Sequence, residues 1–323
     1  MGNSSYIEIR NFRDSRIGEV SRDHFRLNNL HDEIMKQVIE LAVCRTKEKY
    51  GSPPCSFSFF VMGSAGRSEQ SIWSDQDHGI IYQELSPEAQ AYFLELGKEI
   101  TAGLYQTGYD YCDGGVMSNN PMWCKSMFEW QQQLTDWLLD SSFESIRYLL
   151  IFIDGRSIYG GSENIEKLKS IVYQTIHKEH LISKVLGNTL YLKKGVNILG
   201  NLLVETHGPY AGSLNLKEAG LFPYVNAVRL LAIKANVTGT STLSRLDQLK
   251  ESELSSIEND IYKTLFLRLL NYRLTYGNHT DYKSGHFLPI QILSKEQNKE
   301  LKTIIRNGAA LFRLVRRLIE KDD

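Results

Sequence analysis

Phe57-Ser58-Phe59-Phe60-Val61-Met62-Gly63-Ser64-Ala65-Gly66, followed a little later by Ser74-Asp75-Gln76-Asp77-His78-Gly79-Ile80-Ile81-Tyr82, is the stretch on which the fold turns. The nearly continuous apolar run from Phe57 to Met62 predicts a short strand covered on both sides. It runs directly into a glycine-rich turn. Arg67 to Trp73 reads as a short helix and Asp77 to Tyr82 as a second strand, so the local order is strand, Gly-Ser turn, helix, strand.

That order matters chemically. Asp75 and Asp77 are two apart at the start of a strand, so extended backbone sends both side chains from one face, with the Cα atoms roughly 7 Å apart. Gln76 then points away. Two carboxylates so placed can share a divalent ion, and magnesium in particular takes oxygen ligands, often one or two protein carboxylates plus substrate phosphates. A third carboxylate would allow a second ion, one ion serving the attacking oxygen and the other the leaving group. Asp154 is the candidate, at the expected end of a third strand, Tyr148 to Ile153. Gly63 and Ser64 stand where a strand becomes a helix, so free N–H groups and the helix dipole face an anion there. Glycine also lets a phosphate come close to the backbone. Arg67, one turn on, is placed to add a charge-assisted bond to the same phosphates. A lone DxD or Gly-Ser is usually only a turn with solvated carboxylates, whereas the two in this order, each with its strand, are far more specific.

Around this centre the pattern is largely helical. From His24 to Tyr50, Leu27, Leu30, Ile34, Val38 and Leu41 recur at steps of three and four, and Gly51 to Pro54 ends that helix. Residues 87–106 are helix-like, and 108–121 form a loop rich in Gly and Asn whose amides Asn119 and Asn120 suit a substrate-facing role. Trp123, Met127, Trp130, Leu134 and Trp137 then mark one helix face; this stripe reads as core, with Trp123 the one placed to stack on a base. His177 and His180 read as an exposed pair. Arg313, Arg316 and Arg317 suit a helix C-terminus and solubility. Ser294 and Gln297 have capping-box spacing, and an apolar stripe from Leu301 to Leu318 follows.

Composition bounds what such a chain can do. With 323 residues and 42% hydrophobic content it can bury a large core, which excludes a disordered or fibrous protein. Lys plus Arg is 37 against 38 for Asp plus Glu, which argues against extended nucleic-acid contacts and suits a small anionic ligand. The four cysteines, Cys44, Cys55, Cys112 and Cys124, form no CxxC pair, and their spacing is wrong for the common zinc folds. The N-terminus lacks a signal-peptide layout and the longest apolar run is too short to span a bilayer. The expectation is a cytoplasmic protein with reduced thiols and no membrane partner.

Met62-Gly63-Ser64 followed by Asp75-Gln76-Asp77 resembles the signature of the DNA polymerase beta nucleotidyltransferase superfamily. The fuller string Gly63 to Gln70 with Ser74 to Asp77 is similar to one branch of it, the nucleotidyltransferases related to the uridylyltransferase of the nitrogen-regulatory PII protein. The similarity continues through Gly114 to Pro121 and Asp154-Gly155-Arg156. It extends to Leu216-Lys217, Ala227 to Leu230 and Leu270 to Leu274, which resemble that branch's C-terminal helical substrate-binding domain. The resemblance implies that Gly63 and Ser64 hold a triphosphate and that Asp75 and Asp77 hold magnesium. His78 departs from the Asn usual after DxD, and Asn215 from the Asp usual before Leu-Lys.

The resulting expectation is an α/β (α+β) protein: an N-terminal helical segment (1–50), a polymerase-beta-like catalytic domain with a small mixed sheet (51–160) and a helical substrate-binding domain (161–323). Its reaction would be transfer of a nucleoside monophosphate, uridylyl or adenylyl, from a nucleoside triphosphate to a protein or small-molecule acceptor, with release of pyrophosphate, in a signalling setting. Asp75, Asp77 and Asp154 would place magnesium, or manganese in its stead, with Asp154 also the base for the acceptor. Gly63, Ser64 and Arg67 would hold the nucleotide. The alternative is a regulatory protein that binds a nucleotide without turnover.

Overall fold

The computed structural model describes residues 5–322. It is a mixed α/β chain in two compact units, residues 1–175 and 176–323. In the first unit the elements are α1 (Tyr6–Val20), α2 (His24–Tyr50), β1 (Phe57–Val61), α3 (Gly63–Gly66), β2 (His78–Tyr82), α4 (Pro87–Gln106), β3 (Cys124–Ser126), α5 (Met127–Asp140), α6 (Phe143–Ile153) and β4 (Arg156–Tyr159); α7 (Glu163–Lys178) crosses the division. The second unit holds α8 (Ile182–Thr189), β5 (Ser213–Asn215), a π-helical turn (Lys217–Leu221), α9 (Phe222–Lys234), α10 (Thr242–Gln248), α11 (Ser256–Tyr276), β6 (Phe287–Pro289) and α12 (Lys295–Asp322). Among the described residues no helix is long and apolar enough to cross a membrane.

The four strands of the first unit lie in the order β3-β2-β1-β4. β1 is antiparallel to both β2 and β4, with Phe59 opposite Ile80 and Val61 opposite His78, and β3 runs parallel to β2. Phe59, Phe60, Ile80 and Ile81 are fully buried, because helices cover both faces of this small sheet. α2 begins and ends where its caps dictate. The Asp23 carboxylate accepts the N–H groups of Phe25 and Arg26, and Gly51, at φ +87°, returns its N–H to Lys47.

Three local expectations are corrected. Residues 67–73 are not helical. Their backbone is satisfied instead by side chains of α1 and α2: Asn28 accepts the Gln70 N–H at 2.8 Å, His31 donates to the Ser71 carbonyl at 2.9 Å, and Arg13 donates to that of Ile72 at 2.8 Å. Tyr148 to Ile153 is the end of α6 rather than a strand. Its buried Ile146, Leu149, Leu150 and Ile153 follow helical steps, and a short apolar run does not distinguish the two periods. The strand beside β1 comes just after it, at Arg156–Tyr159. Trp123 is not on the α5 helix but precedes β3; α5 starts at Met127, where Ser126 and Glu129 form a reciprocal capping box. Trp123, Trp130 and Trp137 still meet, at centroid distances of 6.0 and 5.7 Å, and Trp123 is fully buried, so it is core and no base can stack on it.

In the second unit α9 is buried on nearly every side and packs against α8, α10 and α12. A side chain at Gly308 would collide with the Tyr224 ring, so glycine there lets α12 lie close to α9, and the Tyr224 hydroxyl donates to the Ile304 carbonyl at 2.7 Å. The expected reciprocal bonds between Ser294 and Gln297 open α12. His177 and His180 are exposed, as expected.

Candidate active site

β1 ends at Val61 and the chain turns at once into α3, a single helical turn. Gly63 makes that turn possible: its φ is +53°, and a Cβ there would sit 2.1 Å from Asp77 Oδ2. The Met62 N–H donates to the Asp77 carbonyl at 2.7 Å, so the glycine turn and the aspartate are held together by backbone as well. Gly66 and Arg67 return their N–H groups to the carbonyls of Met62 and Gly63. The N–H groups of Gly63, Ser64 and Ala65 begin the turn, where no intrahelical acceptor exists. Gly63 and Ser64 are half-buried, as are Asp75 and Asp77.

The two aspartates alternate with two residues aimed the other way. Gln76 and His78 are buried and joined in one chain of hydrogen bonds. The Ser118 N–H donates to His78 Nδ1 at 3.1 Å; His78 Nε2 therefore carries its proton and donates to Gln76 Oε1 at 3.0 Å. The Gln76 amide in turn donates to the carbonyls of Tyr109 and Thr101, at 3.0 and 3.2 Å. Burial lowers the His78 pKa to about 3, which keeps the ring neutral and this tautomer fixed. The departure at His78 thus has a structural role behind the aspartates.

The 108–121 loop is tied along the same segment. Gln76 N–H donates to the Asp110 carbonyl, Asp110 N–H to that of Ser74, and His78 N–H to that of Val116. This brings in a residue that the sequence reading did not select for the site, Cys112. Carboxylate oxygens of Asp75 and Asp77 and the Cys112 sulfur all lie within 4.8 Å of one another, the one such group of potential metal ligands among the described residues. Burial and the Asp77 carboxylate push the Cys112 thiol up to about 12. Cys112 lies far from Asp77 in sequence, and only the loop's pairing with residues 74–78 reveals the neighbourhood.

Asp154 reaches the glycine turn from the end of α6. It caps α6, is fully buried, and accepts a 2.6 Å bond from Arg67, whose Nε donates to Glu69 at 2.7 Å. It is not in the 4.8 Å group of ligand atoms with Asp75 and Asp77, and it ends a helix where a strand was expected. Burial works against the charge on Arg67, but Glu69 and Asp154 more than offset it and raise its pKa. Gly66 is pressed against the Asp154 carbonyl, 2.2 Å from where a Cβ would stand. A second arginine holds the turn from the other side. Arg156 donates twice to the Ala65 carbonyl, at 3.0 and 2.8 Å, while both its terminal nitrogens reach the Asp32 carboxylate on α2, at 2.8 and 2.6 Å. No local pattern marks Asp32, which lies far upstream on a helix.

The donor set fits a divalent cation: two half-buried carboxylates converge beside a glycine turn that can admit phosphate oxygens. Residues 14–144 match the family described as "Putative nucleotidyltransferase DUF294", and residues 179–319 match the "Putative nucleotidyltransferase substrate binding domain". No curated protein matches the chain. The two matches fall one on each side of the division between the units, and the glycine turn and both aspartates lie inside the first; by these matches the chain belongs to this nucleotidyltransferase family.

Proposed function

We propose that the chain transfers a nucleoside monophosphate from a nucleoside triphosphate to an acceptor hydroxyl or phosphate oxygen: a bond forms between that oxygen and the α-phosphorus, and pyrophosphate leaves. The observation that carries this reading is the contact of the Gly63 turn with the Asp77 carboxylate, which sets a phosphate-accessible backbone beside two convergent acids. In this reading Asp75 and Asp77 hold magnesium, or manganese, and the bound ion would neutralise charge on the triphosphate. Gly63 and Ser64 orient the phosphates through their N–H groups.

Arg67 and Asp154 act together as a positioning pair. With its guanidinium already on two carboxylates, Arg67 stiffens the turn instead of reaching for phosphate, and Asp154 would have to leave Arg67 to serve as base. The acceptor, a protein or a small molecule, is assigned to the helical unit, on the strength of the family description of residues 179–319. Uridylyl and adenylyl transfer are both compatible with the site, and a signalling role follows from the resemblance to the PII-modifying enzyme.

The test is incubation of the purified chain with magnesium and each nucleoside triphosphate in turn, with cell extract as acceptor source, read by pyrophosphate release and mass spectrometry. Release with a nucleotidylated product, abolished by Asp75→Ala and Asp77→Ala, supports the transfer. Nucleotide binding with no turnover for any base would favour the regulatory binding protein.

A further inference from the structure

The helical unit contains a cavity of about 670 Å³ that the reading above does not use. Its floor is apolar: Val196, Ala219, Pro223, Ile305, Ala309 and Phe312, contributed by the 190–204 segment, the π-helical turn, α9 and α12. Its cations are Lys193, Lys194, Arg306 and Arg313, and no carboxylate lines it. Lys193 is engaged by Glu205 and Glu218, at 2.6 and 3.5 Å. Lys194, Arg306 and Arg313 are exposed and have no carboxylate partner among the described residues.

The wall opposite α12 is unusual. Residues 190–204 are mostly irregular and turn back at Asn197 to Asn201, where Gly200 adopts φ +81° and its missing side chain leaves room for the Arg306 guanidinium, 2.8 Å from a Cβ built there. The apolar side chains Ile198 and Leu199 stand at this turn, 104% and 85% exposed. Exposed apolar residues next to unpaired cations cost solvation and carry no packing benefit to the folded chain, which is the pattern of a surface kept for a ligand. The size lies within the usual range for small-molecule sites, about 300–1,000 Å³, which are mostly apolar with a few convergent polar groups.

We propose that this cavity binds a small amphipathic anion, an apolar body ending in one carboxylate, sulfonate or phosphate. The body lies on Val196, Pro223, Ile305 and Phe312, under Ile198 and Leu199. The anionic group meets Arg306 and Arg313, with Lys194 beside them. Charge complementarity selects the occupant: Lys194, Arg306 and Arg313, with no lining acid beside them, disfavour a cationic ligand and favour a negative head over a neutral one.

Decanoate and the fluorescent anion 1-anilinonaphthalene-8-sulfonate serve as probes, with decanol as the uncharged control, titrated calorimetrically into the full chain. Saturable binding of one anion per chain is expected. Arg306→Glu with Arg313→Glu, both on the solvent side of α12, should weaken both anions by at least about tenfold while leaving decanol within roughly threefold. Ala309→Trp, which fills the floor, should remove all three. Circular dichroism and melting identify a variant that has not folded, and the surface double variant then carries the test. Absence of saturable anion binding to the wild-type chain overturns the proposal, and so does an affinity indifferent to charge reversal. Sedimentation that shows a dimer of the wild-type chain, broken by Ala309→Trp and by the double variant, in the absence of anion binding, would assign the surface to a second copy and also overturn it.

Discussion

Gly63 and Asp77 touch: the carboxylate Oδ2 lies 2.1 Å from the point that any Cβ on residue 63 would occupy, and residue 63 has a φ of +53°. The turn and the acid therefore constrain each other. The carboxylate can stand beside the start of α3 only because residue 63 has no side chain, and the left-handed backbone that residue 63 needs is the one that glycine adopts freely. The site's shape is set by this pair before any ligand arrives.

Gly63→Ala tests that constraint. Left-handed backbone costs an alanine about 1–2 kcal/mol, and the clash adds displacement of Asp77. The variant should melt lower than wild type and lose divalent-ion affinity together with nucleotide affinity, by calorimetry. Ser64→Ala leaves the turn intact, so it should keep the stability and the ion affinity. Unaltered ion binding in Gly63→Ala would show that the contact does not position Asp77.

Arg67 is the counterion of two buried acids, Glu69 and Asp154, with side chains 5% and 1% exposed. Arg67→Met should destabilise the first unit by about 3–5 kcal/mol, because it takes the guanidinium counterion from two buried carboxylates. Joining it with Glu69→Gln and Asp154→Asn should recover much of that loss. Urea unfolding of the single and triple variants checks this. If Arg67 instead acted mainly on phosphate, the single variant would keep its unfolding midpoint and lose only nucleotide affinity.

His31 gives the first unit a specific acid lability. Burial, and next the charge of Arg13, lower its pKa to about 3, against a bond to the Ser71 carbonyl that opposes the shift. The neutral ring donates through Nε2 to Ser71 and accepts the Tyr109 hydroxyl at Nδ1, at 2.9 Å each. Between pH 6.5 and about 3 the unfolded chain binds a proton that the folded chain refuses, so stability falls as pH falls through that window. From pH 7 to pH 5 this one group removes about 2 kcal/mol. In His31→Gln the loss over the same interval should be smaller by that amount, measured from urea midpoints at both values. Equal losses in both proteins would mean that His31 is already charged in the folded state.

These groups also show what a sequence can and cannot tell. Phe57 to Met62, the glycine turn, the Asp75-Gln76-Asp77 alternation and the helix from His24 to Tyr50 were legible because each is encoded by adjacent residues: an apolar run, a backbone requirement, a period. Tyr148 to Ile153 is helical, and a continuous apolar run carries no period that would separate it from a strand, so Asp154 ends a helix and not the expected strand. Residues 67–73 lost their expected helix to bonds from Arg13, Asn28 and His31, partners more than thirty residues away that no local pattern announces. Cys112 and Asp32 were illegible for the same reason. Each reaches the site through tertiary pairing, of the 108–121 loop with residues 74–78 and of α2 with Arg156.

Cys112 yields the last prediction, which rests on Asp75 and Asp77 being the ion's ligands. Its sulfur lies within 4.8 Å of both carboxylate oxygens, so an ion held by the two acids has a thiol within reach. Magnesium has little affinity for sulfur, whereas cadmium and zinc take thiolate readily and release its proton on binding. The wild-type chain should therefore bind cadmium with an ultraviolet sulfur-to-metal charge-transfer band. Cys112→Ser should remove the band and weaken cadmium by about tenfold or more, while magnesium affinity changes by no more than roughly twofold. Asp75→Ala and Asp77→Ala should weaken both ions, which separates the acids' role from that of the thiol. Cadmium bound without the band, yet lost in the aspartate variants, would place the sulfur outside the coordination sphere and leave an all-oxygen site.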